Sequence, residues 1–243
     1  SEAYKYLGIL FYIKGDLGQS LKALEKALEI DANCKDSMVI KAVLEGLCRD
    51  GKAQGSIRGW FSNLLSSPRE FPVELERHVE KNFVRALYEL EGVDLARRDL
   101  PTKGNAKTSD FSFFERNQQL TDSLRRDLID LAEKAIGTKV YFEDSWFTIL
   151  RGGGYVTKHH HLSPLAKIPG LDVIGERQFA LVYYLDIGDQ CGDEPGFLEF
   201  YDPSYKLLPS KGKVVIFPAA RYHSVKYNGV RDRVMVGVNF WST

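Results

Sequence analysis

Of the five histidines in the 243 residues, three are consecutive, His159, His160 and His161, and a fourth is His223. Imidazole is the commonest protein ligand for transition metals and titrates near neutrality, so metal binding and proton transfer are the chemistries this clustering suggests. The segment RGGGYVTKHHHLSP follows one β-rich run, and His223 follows another in KVVIFPAARYHSV. On an extended strand residues i and i+2 share a face, so His159 and His161 are expected on one side and His160 on the other. Two imidazoles so spaced, joined by a third from a distant strand, can form one face of a metal coordination sphere. The competing expectation is a solvated triplet beside an unrelated surface histidine, because His-x-His by itself is common.

Something must hold these residues in place. From Lys139 the chain breaks into β-branched and aromatic runs, KVYFEDSWFTIL, RQFALVYYLDI, GFLEFYDP, KGKVVIFP and RVMVGVNFW, divided by Gly, Pro and Asp. Short runs at this spacing predict a barrel or sandwich. Leu120, Leu124, Leu128, Leu131, Ala135 and Ile136 predict a helix that Gly137 ends as its C-cap. Before it, Val73, Leu75, Val79, Phe83, Leu87 and Leu90 read as a further apolar periodicity, and PTKGNAKTSDFSFF reads as a loop, with Phe113 and Phe114 as core.

The first thirty-four residues read as a helix hairpin around Gly15-Asp16. One stripe is Tyr4, Leu7, Leu10 and Phe11, the other Leu21, Leu24, Ala27 and Leu28, with Gly8 and Ala27 small enough for close approach. The order of aromatic, Leu-Gly, Gly-Asp and Ala-Leu-Glu-Ile-Asp resembles the tetratricopeptide repeat over its full period, departing from it at Ser20 and Ala32. The stretch from Lys35 to Ser67 is expected to be another helix pair around Asp50-Gly51, either a degenerate repeat or a cap. Residue 1 falls at the start of a repeat with no Met, so a fragment of a longer array is expected. The expected organisation is a tetratricopeptide-like module over 1–68, a helical linker region over 69–118 and a β domain over 119–243, with His78 on a helix.

Across Trp146 to Trp241 the motifs GYVTKHHH, FALVYYLD, GFLEFYDP, KVVIFPAARYHSV and RVMVGVNFW together resemble the Fe(II)- and 2-oxoglutarate-dependent oxygenases of the prolyl-hydroxylase-like branch. That resemblance implies an α+β chain: helical hairpins, then a double-stranded β-helix, or jelly roll, with supporting helices and a site between its two sheets. It also implies Fe(II), O2 and 2-oxoglutarate as cosubstrate, cleaved to succinate and CO2 as a substrate is hydroxylated. His159 corresponds to the first metal ligand and His223 to the distal one, while His161 stands where the family has a carboxylate. The extra Lys158 leaves two further outcomes open: His159 and His223 bind alone, or the register shifts to His160. Arg233 corresponds to the basic residue on the far carboxylate of 2-oxoglutarate, with Arg231 as substitute, and Tyr184 to a hydrogen-bonding partner of the same cosubstrate. Trp146, Tyr155 and Asn239 are candidates to line the pocket, whereas Tyr183 points oppositely. Fusion to repeats suggests a prolyl or aspartyl residue of a peptide or protein as the target.

Composition narrows the remaining field. Thirty-three basic residues balance thirty-three acidic ones, so the broad positive field of a nucleic-acid or membrane-surface binder is missing. The sequence has no apolar run long enough to span a bilayer. Cys34, Cys48 and Cys191 fit neither a disulfide framework nor a zinc site, and a cytoplasmic location fits best. Two other functional classes remain: a cupin-type three-histidine metalloenzyme that uses no 2-oxoglutarate, and a non-catalytic repeat scaffold carrying a degenerate barrel.

Overall fold

Strong period-two alternation in the second half of the chain makes strands whose two faces do different work. The computed structural model describes residues 1–49, 71–90, 92–94, 104–168 and 171–243. Eleven strands are described in two antiparallel sheets. The larger has the order β1 (Val73–Glu76), β9 (Lys213–Pro218), β6 (Gln178–Asp186), β11 (Arg233–Ser242), β4 (Val140–Leu150), β3 (Ala106–Thr108), β2 (Val93–Asp94). The smaller runs β5 (Gly154–His159), β10 (His223–Tyr227), β7 (Pro195–Phe200), β8 (Tyr205–Leu207). From β4 onward the chain passes repeatedly between the sheets, the jelly-roll arrangement expected from the sequence.

Alternation sorts the side chains. On β6, Phe179, Leu181, Tyr183 and Leu185 face the outer layer, while Ala180 and Tyr184 face the other sheet. The outer layer is a helix over Gln118–Ile136, which buries Leu124, Leu128, Ala132 and Ile136. Each fully buried leucine there contributes about 2 kcal/mol. Gly137 ends the helix in the left-handed region, φ 80°, and its N–H bonds to Glu133 O, as predicted from Gly at that position. Phe113 and Phe114 are core residues, also as expected.

One irregularity matters later. Along β4, Phe147 and Ile149 join the helix-facing core, and so do Val140 and Phe142, which have the opposite parity. The phase changes at a bulge, where Asn239 pairs with Asp144 and the next residue, Phe240, pairs with Phe142, leaving Glu143 as the extra residue.

The N-terminal segment begins with α1 (Glu2–Ile13) and α2 (Leu17–Ile30), a hairpin, followed by α3 (Lys35–Arg49). The expected α2 stripe is present, but α1 turns differently from expectation. Tyr4, Leu7 and Leu10 are exposed, and α1 instead buries Lys5, Gly8 and Ile9. Close approach decides this face: a Cβ on Gly8 would come within 2.8 Å of Leu24, and the Ser20 hydroxyl donates to Gly8 O at 2.8 Å. Lys5 is tolerated inside because Glu2 and Asp36 pair with it at 2.9 and 3.0 Å. The helices pack on the barrel through a cluster joining Leu24, Ile40 and Leu44 to Leu165, Ile174 and Trp241. The rest of the expected second helix pair, from Asp50, lies outside the described residues.

The segment expected as a helical linker contains strand β1, the short helix Phe83–Glu89, and strands β2 and β3 at the far sheet edge. Val73 and Leu75 alternate as a strand rather than continuing a helical stripe, and β3 lies within the stretch expected as loop. His78 is exposed just after β1 rather than on a helix, and its carbonyl accepts the Tyr183 hydroxyl at 2.8 Å. The three cysteines are free. Among the described residues no helix is long and apolar enough to cross a membrane.

Candidate metal centre and its cavity

His223 opens β10 and pairs in register with His159 at the end of β5. His161 lies just past β5, anchored by its backbone N–H on Ala219 O at 2.8 Å. These placements bring one ligand nitrogen from each of His159, His161 and His223 within 4.8 Å of one another. His161 Nε2 and His223 Nε2 are 3.2 Å apart. Metal–nitrogen bonds of about 2.1 Å put ligands at right angles about 3.0 Å apart, so this pair already has the spacing of neighbours on one ion.

Hydrogen bonds select the nitrogens presented. His159 Nδ1 lies 2.8 Å from Thr157 O, and His223 Nδ1 lies 3.1 Å from Arg221 O. A backbone carbonyl only accepts, so each Nδ1 carries the proton and each Nε2 keeps its lone pair, the arrangement ligating histidines usually show. Burial, followed by the neighbouring His159, pushes the His223 imidazole down to about 3, so it is neutral at physiological pH. His161 stacks on Trp146, ring centroids 5.5 Å apart and planes 26° apart. Gly237 pairs with Trp146 across β4 and β11, and any Cβ there would collide with the indole, so the glycine makes the room Trp146 needs. His160 is not one of the three. Its Nδ1 accepts from Leu162 N at 3.2 Å and its ring meets Tyr222 edge-on at 5.0 Å.

The histidines open onto a cavity of about 590 Å³ between the sheets. Trp146, Tyr184 and Asn239 line it, as do Glu143, Asp144 and Gln178; Tyr155 does not. Tyr184 is fully buried, its hydroxyl has no partner, and burial raises it to about 12, so it remains a protonated donor. Arg233 is also fully buried but is not part of the lining. Its guanidinium donates to Pro195 O at 2.7 Å and to Gly196 O, 4.8 Å from the centroid of the Tyr227 ring and 5.9 Å from that of Tyr184. Gly196, at φ +88°, is required here because a Cβ would overlap that guanidinium. Arg231 is exposed and near Asp186 at 3.9 Å, away from the cavity, so it does not share Arg233's setting.

Sequence reasoning did not identify Glu143 and Asp144. Glu143 Oε2 accepts from Trp241 Nε1 at 2.7 Å and from Gln178 Nε2 at 3.2 Å. Burial, then the adjacent Asp144, raises the Glu143 carboxyl to about 7, and burial also raises Asp144. The bulge turns both side chains into the cavity. An Asp or Glu pair inside a predicted strand is a weak signal for a bulge, and none was read from it.

Three converging imidazoles, two of them with oriented lone pairs, fit a transition-metal ion, and the unpartnered Tyr184 hydroxyl beside a buried guanidinium fits a carboxylate ligand. No family model and no curated protein matches the chain. Solved structures do. A collagen prolyl hydroxylase of Paramecium Bursaria Chlorella virus-1, in complex with 2-oxoglutarate, superposes with TM-score 0.52 at 14% identity over 72% of this chain and 98% of that one. A Trichoplax adhaerens prolyl hydroxylase bound to a hypoxia inducible factor peptide fragment gives 0.50 at 15%, over 78% and 94%. HygX from Streptomyces hygroscopicus, with nickel, 2-oxoglutarate and hygromycin B, gives 0.54 at 12%, over 75% and 87%. The β domain thus has the fold of these solved structures, two of which hold 2-oxoglutarate.

Proposed function

We propose that the chain is an Fe(II)- and 2-oxoglutarate-dependent dioxygenase that hydroxylates its substrate, with His159, His161 and His223 holding the metal. The observation that carries this reading is the convergence of three imidazoles, two of them with Nδ1 committed to backbone carbonyls, on one cavity between the sheets. When bound, iron with 2-oxoglutarate and O2 supplies the oxidising chemistry; the chain binds, orients and shields it. His159 and His223 offer Nε2 lone pairs, and Trp146 holds the His161 ring by stacking. Tyr184 donates its free hydroxyl to a 2-oxoglutarate carboxylate. Arg233 holds positive charge beside that tyrosine in a site where water does not screen it. A neutral imidazole in place of a carboxylate leaves the ligand set one unit more positive.

The substrate class we favour is a peptide or protein, with a prolyl or aspartyl residue as target, bound with help from a tetratricopeptide-like N-terminal module. Support comes from the α1–α2 hairpin and the helices packed on the barrel, and from the peptide held by the Trichoplax protein. Free thiols at Cys34, Cys48 and Cys191 fit a reducing cytoplasm.

The test is succinate formation from 2-oxoglutarate with Fe(II), together with the visible charge-transfer band of an anaerobic Fe(II)–2-oxoglutarate chelate. Both are expected in the parent. Absence of both overturns the reading, and a bound metal without the band points to a three-histidine metalloenzyme of another kind. His161→Asp is expected to keep or tighten iron binding; loss of binding in that variant removes His161 from the ligand set.

A further inference from the structure

The bulge at Glu143 puts two acids, Glu143 and Asp144, on the cavity face of β4, where regular alternation would present one. Facing them across the strand pair is Asn239, only 7% exposed. Its amide nitrogen lies 3.4 Å from Asp144 Oδ2, and its Oδ1 is buried with no partner. An unsatisfied buried acceptor costs of order 1–3 kcal/mol, so it points to a donor supplied by a ligand. Both donors to Glu143 fall on Oε2, so Oε1 is uncommitted, and the weak contact to Asp144 leaves Oδ1. Lys35 of α3 reaches the same edge but gives its ammonium to the Glu143 carbonyl at 2.8 Å and to Glu115 at 3.7 Å.

We infer that this corner is a specificity pocket for a cationic group of the substrate, an alkylammonium or guanidinium. Three acceptor oxygens meet the three N–H donors of an ammonium or the edge of a guanidinium. A hard divalent ion would have to fill three or more of its positions with water, whereas the three oxygens alone match an ammonium. Burial raises both carboxyls and the adjacent Asp144 adds to the rise at Glu143, while Asn239 and Lys35 act the other way on Asp144; a cation held between the two acids offsets the cost of burying them. The inference rests on the oxygenase reading only in calling the ligand a substrate, since the group would sit in the same cavity as the histidines.

Calorimetric titration of the full chain, without iron and without turnover, tests it. N-acetyl-lysine N-methylamide and N-acetyl-arginine N-methylamide probe a peptide side chain; putrescine and agmatine probe a free small amine; N-acetyl-norleucine N-methylamide is the neutral control. The cationic probes are expected to bind at least about tenfold more tightly than the control, and Asp144→Asn and Asn239→Ala each to lose about tenfold. Preference for the amides assigns the pocket to a basic residue of a peptide, and preference for putrescine or agmatine assigns it to a small amine. Glu143→Gln adds a third variant. If it fails to fold, the other two carry the test, since they leave the Trp241 and Gln178 bonds in place. Equal binding of the norleucine probe, or parent affinity in both Asp144→Asn and Asn239→Ala, overturns the inference. Probe binding with neither succinate formation nor the charge-transfer band leaves this pocket standing and removes the oxygenase reading; succinate without probe binding does the reverse.

Discussion

The two walls of the cavity are built differently. The small sheet supplies His159 and His223, whose second nitrogens are tied to the carbonyls of Thr157 and Arg221, and the turn after β5 supplies His161, stacked on Trp146, so their orientation needs no ligand. The large sheet supplies Tyr184, Asn239, Glu143 and Asp144, among which Tyr184 and Asn239 keep a buried polar atom without a partner. A wall satisfied by its own backbone is preorganised for one kind of guest, here a metal. A wall that leaves polar atoms unpaired pays for them until a ligand arrives, and so selects what may enter. The first wall fits reactivity and the second fits choice of substrate.

The sharpest way to break that division is to remove a ligand from the first wall. His159→Ala or His223→Ala is expected to lower affinity for Fe(II), or for Co(II) as a spectroscopic substitute, by about 100-fold or more, beyond what is usual for changes to outer-shell partners. Titration followed by the visible spectrum reads this directly. A variant that binds metal like the parent takes that residue out of the centre.

A smaller effect is expected where the second wall leans on backbone geometry. Gly196→Ala places a Cβ into the Arg233 guanidinium at a φ that L-residues avoid, at a cost of about 1–3 kcal/mol. The accompanying shift of Arg233 should raise the 2-oxoglutarate KM more than it lowers kcat. Denaturant melts and succinate kinetics measure the two parts, and an unchanged KM argues against a cosubstrate role for Arg233.

The smallest expected effect is a pH dependence of stability. Glu143 rises from 4.5 in the unfolded chain to about 7 in the folded one. The native state therefore holds the proton more tightly, and stability falls as pH climbs through that window, levelling above it. Partial exposure reduces the loss to roughly 2 kcal/mol, with Asp144 adding in the same direction. Denaturation midpoints at pH 5 and pH 8 should differ less in Glu143→Gln than in the parent; an equal difference places the slope elsewhere.

What could be read from the residues follows the same line. His159, His161 and His223 were legible because period-two spacing and a second strand end bring them together whatever the details of packing. The signals of the helix Gln118–Ile136, namely Leu124, Leu128 and Gly137, were legible because burial and the C-cap are local. Tyr183 and Tyr184 were told apart by parity alone, and the structure sends them to opposite faces. The face of α1 was misjudged, because Gly8 and Ser20 decide it by close approach, which a count of apolar residues does not weigh. The acidic pair was missed because parity assigns one of Glu143 and Asp144 to each face, and only the pairing with β11 reveals the extra residue.

That extra residue ties two properties of the protein to one another. Val140 and Phe142 reach the helix-facing core only because the strand changes phase at Glu143, and Phe142 there stacks on Phe114 and lies 5.8 Å from Phe240. Substitution, most simply at Asp144, can tune the charge of the corner, but deletion cannot remove it without turning that aromatic seat outward. The chemical preference of the cavity can therefore vary by exchange of side chains and not by shortening of the strand.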